Sequence, residues 1–447
     1  MLQFWSAFTA SQRRNIAFYV LGIMCYKFAL EYYNGAFITL ANERFAKDKY
    51  QKIGILTGIN YAAQGIGSIL ISPLIKRYPT RSVLSLAVLG FAIISAILLI
   101  TDAATGGQPR TMRTDGKDFY GKYDPNLMFP IFALSGISYG MVELIRRIEH
   151  SQIVAAAPGY FIQIVSGLRA FAKAFYVGAY IIFSRRSLIW LVPSYTLALY
   201  GHRYLENVLA PIVAKQVLGV SSYSQIMVGG SNFGELCGSM SVMFFTNSVP
   251  TPMPWLRLDA VLLMLVWVLP YIKLETNNVA SAWRLAGIFL PVSYGWAAGD
   301  VSLAAYIQST LARMESTDRD VSALGAVMAF LYVLYIVIYA LVSTFLGRWV
   351  DSQINGAVGA AAVGPAKKAL VYVAGVHFTI LAAIIIASTF IPRGALAFNP
   401  KPEGDLATPT DEEVEMARNG SEASDEYDLK EGISKRHGAK DDVTAGM

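Results

Sequence analysis

The chain has 447 residues, of which 54% are hydrophobic and only 15% are charged, with a formal net charge of +6. Soluble domains carry about 25% charged residues, so this composition excludes an ordinary soluble protein and predicts a multi-pass membrane protein. The sequence has no Gly-Lys-Ser/Thr phosphate loop, which excludes an ATP-driven pump formed by this chain alone. Four His and two Cys offer no metal-ligand spacing, so we expect no metal and no cofactor.

Ten apolar stretches follow one another along the chain, and each reaches or approaches the ~20 residues that an α-helix needs to cross a bilayer. The first is too long for the apolar region of a cleavable signal peptide, so we expect it to stay in the mature protein. The predicted fold is an all-α bundle of about ten transmembrane helices. They lie near residues 16–40, 53–75, 82–101, 127–145, 188–212, 222–247, 255–273, 283–311, 321–346 and 369–391.

The distribution of Lys and Arg among the connecting segments places the N-terminus in the cytoplasm. With ten spans the C-terminus returns to the same side, so both termini are predicted to be cytoplasmic. Residues 399–447 contain thirteen acidic and six basic residues and no apolar periodicity, which predicts a disordered tail. We expect the plasma membrane, rather than the vacuolar or another internal membrane, to host the protein.

The segment 148–187 has two interpretations that the sequence leaves open. Polar and basic residues, among them Arg169 and Lys173, recur every three or four positions, which is typical of an amphipathic helix on the cytoplasmic leaflet. The alternative is an eleventh span over residues 158–184. We favour the interfacial helix, because two cations near the middle of a membrane are costly.

Several of the apolar stretches contain ionisable side chains, which usually face a bundle interior or a water-filled path. In the first stretch, Lys27 and Glu31 are spaced i and i+4 on one helix face. They form either a site that handles protons or solute, or an internal salt bridge that lets the helix insert. We favour the site, because Glu31 lies near mid-depth.

The fifth stretch holds the densest polar cluster, with Arg203, Tyr204, Glu206 and Asn207 between two prolines. Broken helices near the membrane midplane are typical positions of transporter sites. The cluster is predicted to bind an anionic or amphoteric solute. The alternative is an Arg–Glu clamp between helices that acts only as a gate.

The sixth and eighth stretches add further candidates. Glu235 lies beside Asn232 among glycines that allow close helix approach, and a lone buried carboxylate there can carry a proton. Trp296 offers a stacking surface near Asp300, and either acid could instead pair with Arg203. The ninth stretch has a tyrosine stripe that indicates helix packing rather than a pore. The stripe consists of Tyr332, Tyr335 and Tyr339.

Two segments indicate an internal repeat at a constant offset of 171 residues. Gln64 in the second stretch then matches Glu235 in the sixth, and the dipeptide Gly67-Ser68 matches Gly238-Ser239. Matches of this kind predict two related halves, as in many secondary transporters.

On these residues the chain resembles the major facilitator superfamily, and most closely a fungal group of its uncharacterised general-substrate members. The matching stretches are 203–207, 231–235 and 295–308. The resemblance implies a bundle of two six-helix halves that needs no cofactor. The family's loop signature after the second helix survives only in part, without its usual Gly, Asp and second Gly, and implies a gating loop. The basic residues of that loop are Lys76, Arg77 and Arg81.

The resemblance also implies that the family's fifth and sixth helices are missing here. What resembles the inner end of the fourth helix is followed almost directly by what resembles the linker before the seventh. The predicted organisation is an incomplete N-terminal half of four spans, a basic amphipathic linker, a C-terminal half of six spans and an acidic tail. Their bounds are 1–147, 148–187, 188–392 and 393–447.

These features together predict a secondary active transporter of a small organic solute, driven by protons, whose halves rock around a midplane site. The expected partners are the solute, protons and the lipid bilayer. We expect a monomer that binds no nucleic acid and is not an enzyme, because no nucleophile–base or metal constellation is visible. The alternative is a non-transporting membrane protein, either receptor-like or a truncated splice or gene-model product.

Overall fold

The fold is known from a computed structural model, and every regular element in the part of the chain that it describes is helical. The predicted all-α class is therefore confirmed. Most of the predicted tail and the first residues of the predicted linker lie outside the described residues. The described residues are 9–107, 120–147, 160–246, 248–312, 323–354, 357, 360–392, 395–397 and 399.

Twelve α-helices of at least eleven residues can be traced in this part of the chain. They are α1 (Ala10–Arg44), α2 (Lys49–Arg77), α3 (Thr80–Ala104), α4 (Met128–Arg147), α5 (Tyr160–Ser184), α6 (Leu191–Tyr204), α7 (Ser224–Phe245), α8 (Met253–Leu263), α9 (Val279–Ala312), α10 (Ala323–Ile354), α11 (Ala360–Leu370) and α12 (His377–Ser388).

Local sequence explains where several helices begin and end. Thr9 and Gln12 form a capping box at the start of α1, in which each side chain accepts a hydrogen bond from the other residue's backbone N–H. Pro79 separates α2 from α3, since proline lacks the N–H that a continuing helix needs. Asp124 caps the short 3₁₀ turn that leads into α4, by accepting from the N–H of Asn126.

Five segments are long and apolar enough to cross a membrane, and a bent pair adds a sixth if it counts as one span. The bent pair joins Ile164–Ser184 to Arg186–Val217 at an angle of 113°. Of the 18 consecutive residues of Thr80–Ala104 with the highest hydropathy, only 22% are buried, so this helix exposes a wide apolar surface. The five segments are Lys49–Ile75, Thr80–Ala104, Pro125–Glu143, Ala323–Ile354 and Ala361–Ser388.

The expected ten-span, two-half arrangement is not confirmed. All ten predicted stretches coincide with helices, but four of them fall short of these criteria. α1, α7 and α9 are long enough to cross a membrane, but their mean hydropathy is too low. They carry the charged and small polar residues that the sequence placed in the transport pathway. α8 has only 11 residues before it continues as a 3₁₀ turn, Met264–Val268.

The centre of the bundle is α6 together with the helical turns that continue it to Val217. α6 packs against α9, α10 and α12. Leu205, Leu209 and Val213 are each fully buried there, within one large apolar cluster that also includes residues of α1 and α2. Because of this position, the polar residues of the same helix also lie in the interior of the bundle.

Two pairs of helices cross very closely, α2 with α4 and α7 with α9. A Cβ at Gly67 would lie 1.9 Å from the carbonyl oxygen of Ile137, and one at Gly238 would lie 2.3 Å from that of Tyr294. Only glycine fits at such crossings. The two glycines are matched positions of the 171-residue repeat, and the repeat itself stays a prediction.

The segment for which an interfacial helix was expected forms α5, which packs along α10 and α2. Phe175 and Phe183 both contact the ring of Phe330, with centroid separations of 5.1 and 5.8 Å. Arg169 and Lys173 are exposed. The choice between an interfacial and a spanning helix stays a prediction.

Candidate functional site

A cavity of about 250 Å³ lies between the helices of the predicted N-terminal half and those of the predicted C-terminal half. α1, α2 and α4 form one side, and α6, α7, α9 and α10 form the other. Seven of the ten predicted pathway residues line it. They are Lys27, Glu31, Arg203, Glu206, Asn207, Trp296 and Asp300.

α1 presents a polar stripe to the cavity. Lys27, Glu31, Asn34 and Ile38 are spaced three or four residues apart, so they share one helix face. Gly35 lies on the same face, and a Cβ there would clash with the side-chain amide of Gln225 from α7. The spacing in the sequence was therefore sufficient to place this face toward the interior.

Lys27 pairs with α4 rather than with its own helix. Its Nζ lies 3.2 Å from a carboxylate oxygen of Glu143 and donates to the hydroxyl of Tyr139 at 3.2 Å. The alternative that the sequence left open, a Lys27–Glu31 salt bridge, is not the pair that forms, because Tyr139 and Glu143 lie one helical turn apart on α4 and both accept from Lys27. Within the described residues, Glu31 makes no hydrogen bond or ion pair.

A widened helical turn shapes the central cluster. Pro211 has no N–H to donate to the carbonyl of Asn207, four residues earlier, and its ring crowds that carbonyl. The helix widens to a π-turn over Leu205–Leu209, in which the N–H of Ala210 bonds to the carbonyl of Leu205 five residues back. Such turns are frequent at functional sites. The helix widens here but continues to Val217, so it is not broken between the two prolines as the sequence had suggested.

His202 lies between two carboxylates at this turn. Its Nε2 is 2.7 Å from Glu235 and 3.4 Å from Glu206, and its ring is completely buried. When both acids are ionised they only accept hydrogen bonds, and Nε2 must then carry the hydrogen. Nδ1 has no hydrogen-bond partner in the described part of the chain. His202 was visible in the sequence cluster, but only the fold shows that it connects the two acids.

Glu206 is the most highly coordinated acid of the site. It accepts from Nη1 of Arg203 at 2.9 Å and from the hydroxyl of Ser231 at 2.7 Å. Ser231 in turn lies 2.6 Å from the hydroxyl of Ser293 on α9. Arg203 and Glu206 pair three residues apart along the same chain segment, not between helices as in the predicted clamp. The hydrogen bonds between Ser231 and Glu206 and between Ser231 and Ser293 connect this segment to α7 and α9.

Trp296 covers the histidine. Its ring stacks on His202 with a centroid distance of 3.9 Å and an interplanar angle of 4°. The guanidinium of Arg203 lies 5.8 Å from the Trp296 ring. The stacking surface expected near Asp300 therefore serves His202 and Arg203.

A second polar group lies toward α2 and α10. Asn207 donates to the hydroxyl of Tyr61 at 3.1 Å, and Tyr332 donates to the side-chain carbonyl of Gln64 at 3.3 Å. Tyr332 and Tyr335 both line the cavity, although Tyr335 is almost completely buried. The tyrosine stripe on α10 thus contributes to packing and to the cavity wall.

The remaining predicted residues lie at or outside the cavity margin. Tyr204 is fully buried in the apolar core, 5.1 Å from the ring of His377, and does not line the cavity. Asn232 is exposed. Glu235 does not line the cavity and is connected to the site by its contact with His202.

The predicted gating loop is short. Lys76 and Arg77 are the last residues of α2, and Arg81 is an exposed residue in the first turn of α3. Only Tyr78 and Pro79 separate the two helices, and neither Arg77 nor Arg81 lines the cavity, whereas the side chain of Lys76 lies outside the described part of the structure.

His202, Glu206 and Glu235 offer three ligand atoms within 4.8 Å of one another, a donor set that suits a divalent transition metal. However, Arg203 already donates to one of these carboxylates at 2.9 Å. A bound cation would have to displace this guanidinium and then lie beside its charge. The arrangement therefore suits proton exchange within the cluster better than metal binding.

Sequence reasoning missed Asp259 of α8. Both of its carboxylate oxygens are buried without a hydrogen-bond partner in the described residues, and it packs against Gly295 of α9. In the sequence, the only indication of a role for Asp259 was that it is an acidic residue in an apolar stretch. Tyr61, Asn60 and Gln64 of the cavity wall were also missed as site residues, since uncharged polar residues are common in packed membrane helices.

Beyond one end of the cavity, polar contacts join the two sides. Glu43, near the end of α1, accepts from Lys215 at 2.6 Å and from the hydroxyl of Ser221. Burial raises the pKa of the Glu43 carboxyl, but these hydrogen bonds and the charges of Lys215 and Lys49 outweigh it, so the pKa lies below its usual value. Glu43 lies outside the predicted first span.

No protein-family model, no curated protein and no solved structure matches the chain. The resemblance to the major facilitator superfamily, with its two absent helices, therefore stays a prediction based on the motifs quoted above. What the chain does has to be inferred from the cavity and the groups around it.

Proposed function

We propose that the chain is a secondary active transporter that moves a small organic solute together with, or in exchange for, protons. The observation that carries this proposal is the cavity of about 250 Å³, which is lined by six charged side chains and whose wall includes three helices apolar enough to cross a membrane, α2, α4 and α10. Ionisable residues within membrane helices are costly and usually mark a solute or proton pathway.

The location of the cavity supports alternating access. Its wall combines α1, α2 and α4 with α6, α7, α9 and α10, so a relative movement of the two groups of helices would open it. In major-facilitator-type carriers the halves rock around a site of this kind. The predicted monomer, cytoplasmic termini and plasma-membrane location belong to the same proposal.

The central cluster supports proton coupling. His202 bridges Glu206 and Glu235 through one ring nitrogen, and Arg203 neutralises Glu206. Imidazole is the side chain best suited to exchange protons near neutral pH, and a cluster of two acids and one histidine can hold or release a proton without long-range rearrangement. Because Glu206 and Asp300 also line the cavity, solute in the cavity and a proton on the cluster would affect each other.

Purified full-length protein reconstituted into vesicles with an enclosed pH indicator tests the proposal. We expect a gradient of at least one compound in a panel of small solutes to drive proton movement. The double variant Glu206→Gln, Asp300→Asn should slow this flux at least about tenfold, equivalent to ~1.4 kcal/mol. Glu275→Gln, which removes an exposed acid outside the cavity, is the matched control and should transport normally.

Proton-coupled flux that persists in the double variant would contradict the assignment of these residues. Solute binding without any solute or proton flux would favour the receptor-like alternative.

A further inference from the structure

The cavity wall contains more acidic than basic residues. Four acidic residues and two basic residues line it, which leaves an excess of two negative charges when all are ionised. The acids are Glu31, Glu143, Glu206 and Asp300, and the bases are Lys27 and Arg203.

Both bases are already engaged by acids. Lys27 lies 3.2 Å from Glu143, and Arg203 lies 2.9 Å from Glu206. An anionic solute would have to break one of these ion pairs and would leave a carboxylate without its partner, in surroundings where unpaired charge is costly. The cavity is therefore poorly suited to an anionic solute, one of the two kinds, anionic or amphoteric, that the cluster around Arg203 had predicted.

Glu31 is different from the other acids. It faces the cavity from α1, and it makes no hydrogen bond or ion pair with any described residue. A half-buried carboxylate of this kind gains from a cation placed next to it. A solute that carries a positive charge would supply that cation without disturbing either existing ion pair.

The aromatic surface of the wall also suits a cation. Tyr61, Tyr332 and Tyr335 form a contiguous group, with ring centroids 5.7 Å apart between Tyr61 and Tyr335 and 5.6 Å apart between Tyr332 and Tyr335. Tyrosine faces attract ammonium groups and pack against apolar rings. Trp296 is less available, because His202 stacks directly on its ring.

The size of the cavity limits the solute. A volume of about 250 Å³ is below the ~300–1,000 Å³ of pockets that hold drug-sized ligands. A compound with one ring and a short amine chain is of suitable size.

We infer that the solute is a small organic cation, a protonated amine with an aromatic or apolar group, whose ammonium pairs with Glu31 and whose apolar part contacts the tyrosine group. This inference rests on the proposed transport site and specifies its substrate class. Side-chain amides of Asn34 and Gln64 line the same wall and can accept the remaining N–H groups.

Three probes of nearly equal shape test the inference: the cation phenethylammonium, the neutral 2-phenylethanol and the anion 3-phenylpropanoate. Binding to the purified full-length protein in lipid nanodiscs is measured by isothermal titration calorimetry at neutral pH. We expect phenethylammonium to bind at least about tenfold more tightly than the other two, the ratio that one added ionic contact readily provides.

Glu31→Gln, which keeps the shape and removes the charge, should weaken phenethylammonium binding at least about tenfold and leave 2-phenylethanol binding unchanged. Glu275→Gln removes an exposed acid elsewhere and should bind like the original protein. Tyr332→Phe keeps the aromatic ring and should still bind phenethylammonium, whereas Tyr332→Leu removes the ring and should bind it more weakly. If Glu31→Gln does not fold, the comparison of Tyr332→Phe with Tyr332→Leu still tests the inference.

Equal or tighter binding of 3-phenylpropanoate, or unchanged cation binding in Glu31→Gln, would overturn the inference. Its failure is distinguishable from failure of the proposed function. Glu31-dependent amine binding without flux in vesicles refutes transport and supports the cation site. Proton-coupled flux of an anionic solute, with no amine binding, supports transport and refutes the cation site.

Discussion

Glu31 and Glu43 are carboxylates on the same helix, and the fold gives them different surroundings. Glu31 faces the cavity without a hydrogen-bond or ion-pair partner in the described residues, whereas Glu43 accepts hydrogen bonds from Lys215 and Ser221. Lys27, four residues before Glu31, pairs with Glu143 of α4 instead. The spacing along one helix showed which side chains share a face. Which of them form ion pairs was decided by residues elsewhere in the fold.

The surroundings of Glu43 predict a pH-dependent contribution to stability. Its pKa in the folded protein lies below the usual value of 4.5. Folding then favours the ionised form, so the contribution is fully present above about pH 4.5 and is lost as the pH falls through the lower folded pKa. Glu43→Gln should therefore lower the thermal unfolding midpoint at pH 7, and the difference from the original protein should shrink as the pH falls below 4.5.

Tryptophan-fluorescence melts of both proteins across this pH range provide the measurement. Glu275→Gln is the control, since its acid is exposed and lies away from Lys215. A difference in midpoint that stays constant from pH 7 to the acid limit would show that Glu43 acts through packing and not through its charge.

At the scale of elements, small residues decide which helices can approach closely. On α7, Gly230, Gly234 and Gly238 recur every four residues, and each lies against a backbone carbonyl of α9. Association of membrane helices depends on such close backbone packing, because lipid is as apolar as the side chains. This packing also brings Ser231 beside Ser293, and so positions Glu206.

Gly234→Ile is predicted to disrupt the α7–α9 crossing. A Cβ at this position would lie 2.1 Å from the carbonyl oxygen of Leu290, so the helices would have to separate. We expect a destabilisation of about 1–3 kcal/mol, the typical cost of overpacking. Thermal unfolding in detergent measures the effect.

Gly229→Ile is the matched control on the neighbouring position of the same helix. No heavy atom lies within 4 Å of a Cβ at Gly229, so the substitution should be tolerated. If both variants unfold at the same temperature, the close crossing does not contribute to stability in the way proposed here.

At the scale of the whole molecule, the ends of several helices meet beyond the cavity. Besides the Glu43–Lys215 contact, the backbone N–H groups of Tyr50 and Gln51 at the start of α2 donate to the carboxylate of Asp351 at the end of α10. Asp351 thereby satisfies N–H groups that have no partner within α2. If the protein transports by alternating access, these contacts must break in each cycle.

A cross-link at this end is predicted to stop transport. In a Cys25→Ser, Cys237→Ser background, the double variant Glu43→Cys, Lys215→Cys would be joined by a short thiol-reactive reagent. We expect solute-driven proton flux to fall to the level of empty vesicles, because the two sides could no longer separate. Single-cysteine variants treated in the same way should retain flux, and an undiminished rate in the cross-linked protein would contradict a rocking movement at these contacts.

The sequence by itself determined the helical class and, through the four-residue spacing of Lys27 and Glu31, which face of α1 carries charge, and both residues line the cavity. It also located the charged cluster on α6, because charge in an apolar stretch has few tolerable positions. The number of membrane-crossing helices could not be read from it, since α1, α7 and α9 are too polar for their length alone to decide.

Only the tertiary structure decided which charged side chains are paired with one another. Arg203 is bound by Glu206, Glu235 is held by His202, and Asp259 is enclosed beside Gly295. These relations join residues 3 to 36 positions apart on separate turns and helices, and they depend on crossings that bring backbones into contact. Pair energies between charges depend on distance and burial, and neither quantity is encoded in local sequence patterns.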